Sequence, residues 1–323
     1  MLDLQYADDA ALVSHSAGGL QRSLDAVVST YSRAGLVVNT SKTEVMQQHV
    51  VRESPLSSFK VNNTVLRNTR DFVYLGSKLT AEVDLTPEVH RRIALAAAAF
   101  GRLSGKVFYN KDLTYKTKMS VFNAVCVSVL LYGCESWALH RHHIRKLESF
   151  YTGCLQKILK VHWWDKIPHA EIRRRLNALP LEAILVQRQL RWLGHTIRMP
   201  PERIPRQVLY GELTAGRRSR GGQRKRLKDH YKASLKRFGV DPTSLEIHAP
   251  DRSRWRALCT DGAQRCAKDI DAVMAARRAK RHAAPQGGAF QCDSCRRCFV
   301  ALSGLKSHQR AHQRRRDLHD AVR

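Results

Sequence analysis

Four residues near the end of this chain have the types and the spacing of a closed metal site. Two residues separate Cys292 from Cys295, three separate His308 from His312, and twelve lie between the two pairs. Thiolates and imidazoles at this spacing form the tetrahedral shell of a structural Zn²⁺ ion. The sequence therefore predicts Zn²⁺ bound by these four side chains, with the nearby Cys298 as a bystander thiol.

The residues around these ligands predict the module that positions them. A Cys-x-x-Cys pair suits a tight hairpin turn, and two histidines four positions apart present both rings on one face of a helix. Apolar residues for a small core beside the metal lie at the expected places: Phe290, Phe299 and Leu305. The pattern matches a ββα zinc finger of the two-Cys, two-His type.

The base-reading positions of this finger carry small side chains. In zinc fingers the residues just before the helix and at its third and sixth positions reach base edges, and here they are Ala301, Gly304 and Ser307. None can make the bidentate contact that discriminates guanine or adenine. Several cations can hold phosphates: Lys306, Arg310, Arg314, Arg315 and Arg316. We expect backbone contacts with weak sequence preference, or a protein partner instead.

A second candidate metal site lies near the start of the chain, around Asp8 and Asp9. Apolar runs on both sides of these residues predict two short strands with the carboxylates at the turn between them. Paired carboxylates can bind two Mg²⁺ ions that activate an attacking hydroxyl and stabilise a leaving oxygen. A solvated acidic turn is the alternative interpretation.

The net charge of +28 is unevenly distributed along the chain. Residues 1–100 are neutral, with ten Lys+Arg and ten Asp+Glu, so all the excess follows residue 100. This asymmetry predicts DNA or RNA as a partner, because cations near phosphates release counterions. The densest basic segment, with a solvated linker as its alternative interpretation, contains seven cations and no acid: Arg217, Arg218, Arg220, Arg224, Lys225, Arg226 and Lys228.

The composition predicts a folded, intracellular protein. The content of 43% hydrophobic and 26% charged residues is typical of soluble domains. Neither a membrane span nor a secretory signal is evident, so we expect no membrane partner and no secretion. The eight cysteines are then core thiols or metal ligands in a reducing compartment, and the basic segments favour the nucleus.

Hydrophobic periodicity predicts the elements between the two candidate sites. An amphipathic helix is expected over residues 18–33, then a strand, a turn and a strand over residues 36–46, a hairpin over residues 59–66 and a strand near residue 74. Residues 85–200 are predicted to be helical, beginning with Thr86 as a cap. A long basic helix is predicted over residues 252–281.

Within the helical region, several side chains are predicted to be structural. The alternatives of metal ligation for the cysteines and base stacking for the tryptophans are weaker. Cys126, Cys134 and Cys154 are predicted core residues. His140, His142, His143 and His162 are predicted on the surface or as caps, and Trp163 and Trp164 are predicted to pack between helices.

Six short motifs follow one another along roughly residues 1–260. They are Tyr6-Ala7-Asp8-Asp9; Gly35-Leu36 with Asn39 and Lys42-Thr43; Tyr74-Leu75-Gly76; Leu131-Tyr132-Gly133-Cys134-Glu135-Ser136-Trp137; Arg191-Trp192-Leu193-Gly194-His195; and Tyr210-Gly211-Glu212-Leu213. In this order they resemble the C-terminal part of a non-LTR (LINE-type) retrotransposon endonuclease/reverse transcriptase polyprotein. The resemblance implies that Asp8 and Asp9 are metal-binding carboxylates and that Lys42 is the lysine of the following palm motif.

The resemblance also implies what is missing for catalysis. The family's polymerases need a third metal-binding aspartate on an upstream palm strand, and fingers that cover the template, whereas this chain begins seven residues before Asp8. We therefore expect no autonomous DNA synthesis, with Mg²⁺ as a cofactor only where polymerase activity is retained. One alternative is an RNA-directed DNA polymerase completed by an upstream palm and fingers; another is a finger-driven regulator that binds a protein or a defined DNA site.

Together these observations predict an α+β protein that is mainly α. The expected regions are a partial reverse-transcriptase palm (1–80), a helical thumb-like region (81–200), a basic linker and helices (201–285), a flexible linker (286–289), the zinc finger (290–313) and a basic tail (314–323).

Overall fold

The computed structural model describes residues 2–48, 57–211, 226–282, 290–299 and 301–320. The chain divides into two compact units, Met1–Gln264 and Arg265–Arg323. Helices dominate and the strands are few and short, so the predicted α+β, mainly α class is confirmed. In the described part of the chain no helix is long and apolar enough to cross a membrane.

The chain opens with the predicted hairpin. Strands β1 (Leu2–Tyr6) and β2 (Asp9–Val13) pair antiparallel, with Tyr6 opposite Asp9. Helix α1 (Ala17–Arg33) follows, and its N-cap Ser16 accepts a hydrogen bond from the backbone N–H of Gly19 at 3.2 Å. This cap provides an acceptor for one of the backbone N–H groups that have no partner within the first turn of the helix. The helix predicted over residues 18–33 is therefore present.

The predicted strand over residues 36–39 is wrong. The chain there forms a loop, because Oδ1 of Asn39 accepts the backbone N–H groups of Ser41 and Lys42 at 3.1 and 3.2 Å and turns the backbone. Val37 is 92% exposed, so no sheet covers the apolar run. Only β3 (Glu44–Met46) is extended, and it pairs in parallel with β6 (Arg67–Thr69).

Two further hairpins follow. Strands β4 (Lys60–Val61) and β5 (Thr64–Val65) are joined by Asn62 and Asn63, which both have positive φ, as a two-residue turn requires. This hairpin was predicted. Strands β7 (Asp71–Tyr74) and β8 (Ser77–Thr80) form the second hairpin, of which only the first strand was predicted. Each sheet among the described residues has two strands.

Helices occupy most of residues 85–200, as predicted, and one further helix lies over residues 204–210. Helix α2 (Thr86–Leu103) continues into a π-helical turn at Ser104–Phe108, and α3 (Tyr115–Val121) continues into another at Phe122–Val127. The helices are α2 (Thr86–Leu103), α3 (Tyr115–Val121), α4 (Ser128–Leu130), α5 (Arg141–Leu159), α6 (His169–Leu176), α7 (Leu181–Ile197) and α8 (Ile204–Tyr210). Three more follow: α9 (Leu227–Arg237), α10 (Leu245–His248) and the predicted long helix α11 (Arg252–His282).

The start of α2 differs from the prediction. Thr86 is already helical, and the capping acceptor is Asp84, whose Oδ1 accepts the backbone N–H of Thr86 at 3.0 Å and its hydroxyl at 2.9 Å. The backbone hydrogen bond lowers the pKa of Asp84. The N-cap position is occupied by Leu85, one residue earlier than the sequence pattern indicated, and its side chain makes no capping hydrogen bond. Asp84 instead supplies the acceptor from the residue before it.

The core of the helical region is aromatic. Phe100 stacks on Phe108 at 4.4 Å between ring centroids, and Phe122 meets both rings edge-on at 6.1 Å. The predicted core thiols lie in the same interior, where Cys126, Cys134 and Cys154 are all buried. Burial raises their pKa values to about 11, 12 and 12 respectively, so these thiols remain protonated and inert.

Two side-chain assignments in this region need correction. His143 is buried rather than on the surface, but its predicted capping role is confirmed, because its Nδ1 accepts the backbone N–H of the N-cap residue His140 at 3.4 Å. Its Nε2 lies 3.0 Å from the hydroxyl of Thr86. Burial lowers its pKa to about 4, so the ring is neutral at pH 7. Trp163 and Trp164 are exposed rather than packed between helices, because they lie on a short 3₁₀ turn between α5 and α6. His140 and His162 are N-cap residues, as expected.

Helix α7 packs closely against α11 at Gly194. The indole N–H of the buried Trp255 donates to the carbonyl of Leu190 at 2.9 Å. A Cβ at Gly194 would overlap that indole ring. The close approach therefore requires glycine at this position, although glycine is otherwise unfavourable within a helix.

Replacing Gly194 with alanine should therefore destabilise the protein by at least about 1 kcal/mol, since overpacked cores cost about 1–3 kcal/mol. Gly153 in α5 is the matched control, because a Cβ there would meet nothing within 4 Å. Gly153→Ala should be neutral or stabilising by up to about 1 kcal/mol. Urea unfolding followed by circular dichroism measures both, and equal effects would contradict the packing described.

Candidate metal centre

The metal-ligand candidates lie on the turn between two strands and on the helix that follows them. Strands β9 (Phe290–Gln291) and β10 (Cys298–Phe299) pair antiparallel, with Phe299 opposite Phe290. Helix α12 (Leu302–Asp320) follows directly. The predicted order of two strands and a helix is therefore present.

The turn between the strands brings the two cysteines together. The backbone N–H of Cys292 donates to the carbonyl of Arg297 at 2.9 Å, and the N–H of Arg296 donates to the carbonyl of Cys292 at 2.7 Å. Arg296 has a φ of +54°, a left-handed conformation that closes the turn. This geometry folds residues 292–297 tightly around the two thiols.

The four predicted ligands converge on one point. One ligand atom from each of Cys292, Cys295, His308 and His312 lies within 4.8 Å of the others. Nε2 of His308 is 3.0 Å from Sγ of Cys295 and 3.0 Å from Nε2 of His312. Zn–S and Zn–N bonds of about 2.0–2.3 Å would place tetrahedral ligand atoms about 3.3–3.8 Å apart. The two observed separations of 3.0 Å lie just below this range, and all four ligand atoms are close enough together to share one ion.

A small apolar core supports the site. Leu305 is buried and the rings of Phe290 and Phe299 are half-buried. The ring of Phe299 lies 4.9 Å from that of His308. The described residues of this module bury few apolar side chains. A bound metal ion would therefore contribute much of the folding free energy of the module.

The protonation states favour metal binding at Cys292 and His308. Burial opposes ionisation of Cys292, but hydrogen bonds from Ser294 and Cys295 outweigh it and lower the pKa of the thiol. Desolvation, together with His312 and Arg297, lowers the pKa of His308. A thiolate and a neutral imidazole are the forms that bind a metal.

Cys298 does not belong to the cluster. It lies on β10 opposite Gln291, and its sulfur contacts the carbonyl of Arg296 at 3.8 Å. Among the described residues, the only group of three or more His, Cys, Asp or Glu side chains that could hold a metal is the Cys292, Cys295, His308 and His312 cluster.

The carboxylates of Asp8 and Asp9 occupy the tip of the first hairpin. Both residues are exposed, and Ala7 before them has a φ of +52°. In the part of the chain that the structure describes, no third metal-ligating side chain joins this pair. The geometry is that of an exposed acidic turn.

The predicted nucleic-acid-binding residues lie on separate elements. Lys42 is exposed in the loop before β3, and Arg226 is exposed at the start of α9, 4.0 Å from Asp229. Lys306 and Arg310 are exposed on α12. Several predicted residues lie outside the described residues or, for the last three, outside the described side chains: Arg217, Arg218, Arg220, Arg224, Lys225, Arg314, Arg315 and Arg316.

Sequence reasoning missed the exposed aromatic pair Trp163 and Trp164. Their side chains are 81% and 57% exposed. The sequence feature that could have indicated their exposure is their place in a short polar connection between two predicted helices, with Lys160 before them and Lys166 after them.

The comparisons with known proteins give one relative. A transposon-derived protein of Caenorhabditis elegans is 24% identical over 209 residues, which are 61% of this chain and 72% of that protein. No family model matches the chain, and no solved structure matches it. The relative indicates a transposon-related origin.

Cys298 offers a matched control for the metal site. We expect the purified protein to contain about one zinc ion per chain, measured by mass spectrometry of the metal. Cys292→Ser should remove most of this zinc, because two imidazoles and one thiolate leave the shell open. Cys298→Ser should retain it. Equal zinc contents in the two variants would contradict the assignment.

Proposed function

We propose that this chain is a zinc-binding and nucleic-acid-binding remnant of a retrotransposon reverse transcriptase, without polymerase activity of its own. The observation that carries the proposal is the convergence of Cys292, Cys295, His308 and His312 in a chain of net charge +28. The C. elegans relative described as transposon-derived supports the origin. A role for the zinc in shaping a DNA- or RNA-binding module follows from this combination.

Phosphates are the proposed ligands of the exposed cations. Lys306 and Arg310 are exposed on α12, two residues before and two residues after the metal ligand His308. Residues 217–228 add seven cations without an acid. Such clusters bind the nucleic-acid backbone and supply sequence-independent affinity. A nucleic-acid-binding protein of this kind would act in the nucleus.

Weak sequence preference follows from the small side chains at the reading positions. Ala301 and Ser307 are exposed, but neither carries a group for bidentate base recognition. Gly304 lies next to Phe299, with 3.5 Å between an added Cβ and that ring. Selection from random DNA should therefore return no consensus, whereas a consensus that Cys292→Ser abolishes would favour a sequence-specific regulator.

Polymerase chemistry is proposed to be absent because the tip of the hairpin supplies only two carboxylates, Asp8 and Asp9. Two-metal catalysis needs ligands that clamp both the attacking and the leaving oxygen. Asp8 and Asp9 are joined by no third ligand in the described part of the chain.

Salt dependence tests the backbone contacts. Affinity for mixed-sequence duplex should fall steeply as salt rises. The slope of log K against log salt is negative. Replacing Arg217 and Arg218 with glutamine should make it less steep by about 1–2, since each phosphate contact contributes about −0.9 to the slope. Replacing Arg174 and Arg175, which both pair with Glu171 at 2.7–2.8 Å, is the matched control and should leave the slope nearly unchanged.

Fluorescence anisotropy over a series of salt concentrations measures these slopes. A salt-insensitive affinity, or equal effects of the two double substitutions, would contradict the proposed contact surface.

Primer extension tests the absence of polymerase activity. The purified 323-residue chain should incorporate no nucleotide on a primed RNA template with Mg²⁺. Template-dependent incorporation that Asp8→Asn abolishes, and that Asp3→Asn on the same hairpin leaves intact, would show that the chain is an active polymerase.

A further inference from the structure

Trp163 and Trp164 form an exposed aromatic surface on the turn between α5 and α6. The side chains are 81% and 57% exposed, and their ring centroids lie 5.7 Å apart at an interplanar angle of 76°. Contact between a large apolar ring and water is unfavourable in free energy. Two such rings on one turn form a concentrated apolar patch. Such a patch on a soluble surface indicates contact with a partner.

The turn holds the two rings in a fixed arrangement. The ring of His162 stacks on Trp164 at 4.4 Å and 5°. The backbone N–H of His162 donates to the carboxylate of Asp165 at 2.8 Å. Lys160 and Lys166 take left-handed conformations that end α5 and close the turn. Pre-organisation of this kind reduces the entropy lost on binding.

The positive charges next to the rings favour a polyanionic partner. Exposed Lys160 and Lys166 flank the pair, and the one acid between them, Asp165, already accepts the His162 N–H. Another copy of this +28 chain would be repelled. A ligand with flat apolar faces and a phosphate backbone fits both features.

We propose that Trp163 and Trp164 are a stacking platform for the unpaired bases of single-stranded RNA or DNA. The proposal rests on the proposed nucleic-acid binding and adds a preference for single strands. Bases in a duplex already stack on one another, so only unpaired bases or duplex ends can offer a free face. Lys160 and Lys166 are then placed to contact the adjacent phosphates.

The test compares two exposed tryptophans. Trp163→Leu removes an aromatic face but keeps apolar bulk, and Trp192→Leu makes the same change on α7, where the side chain is 39% exposed. Stacking is worth about 1–3 kcal/mol per base, so Trp163→Leu should weaken binding of labelled mixed-sequence single-stranded oligonucleotides about tenfold. Trp192→Leu should change it less than about twofold, and Trp163→Phe should restore most of it.

Duplex of the same sequence and anionic phosphatidylserine vesicles are the other two probes. Duplex affinity should be equal in wild type and Trp163→Leu, and circular dichroism should show equal helix content. RNA and DNA single strands are measured separately. The strand whose affinity falls more in Trp163→Leu is the one whose bases stack more strongly on Trp163.

The outcomes separate the two proposals. An unchanged single-strand affinity in Trp163→Leu, with wild-type binding intact, overturns the stacking platform alone. Equal losses for single strand and duplex also overturn it, since stacking would be selective. Vesicle binding that Trp163→Leu abolishes while oligonucleotide affinity persists would assign the pair to a membrane surface. Wild-type protein that binds neither nucleic acid overturns the platform and the proposed function together.

Discussion

The side chain of Gln189 on α7 is fully buried, and its amide must find partners inside the protein. Its Nε2 donates to the carbonyls of Cys134 at 2.8 Å and Trp137 at 2.9 Å, and its Oε1 lies 2.8 Å from Nε2 of His230 on α9. Leaving a buried polar group unpaired costs about 1–3 kcal/mol. The positions of α7, α9 and the segment around residues 134–137 are therefore fixed together.

Further contacts join the turn between β7 and β8 to the helical region. The hydroxyl of Tyr132 donates to the carbonyl of Leu75 at 2.8 Å, and the guanidinium of Arg92, paired with the buried Glu88, donates to the carbonyl of Gly76. Trp255 and Gly194 form the α7–α11 contact. The side chains of Tyr132 and Arg92 thus satisfy backbone carbonyls between β7 and β8, and Gly194 admits the ring of Trp255, so these residues hold neighbouring elements together.

Sequence patterns predicted what depends on local spacing and missed what depends on distant partners. The four metal ligands and the amphipathic helices follow from spacing within one module or one helix, and the structure has them. The β3–β6 pair joins residues more than twenty positions apart, and the loop around Asn39 replaces the expected strand. Burial of His143 and exposure of Trp163 depend on the surrounding helices, which periodicity does not describe.

The two candidate metal sites differ in how their ligands are assembled. The site of Cys292 and His312 draws every ligand from residues 292–312, so one turn and one helix suffice to build it. The carboxylates of Asp8 and Asp9 lie at the tip of a two-stranded sheet, and no third ligand joins them among the described residues. Local assembly makes the first site independent of the rest of the chain. Folding of this module and metal binding by it are therefore coupled to each other within about twenty residues, because the turn and the helix that carry the ligands come together around the ion.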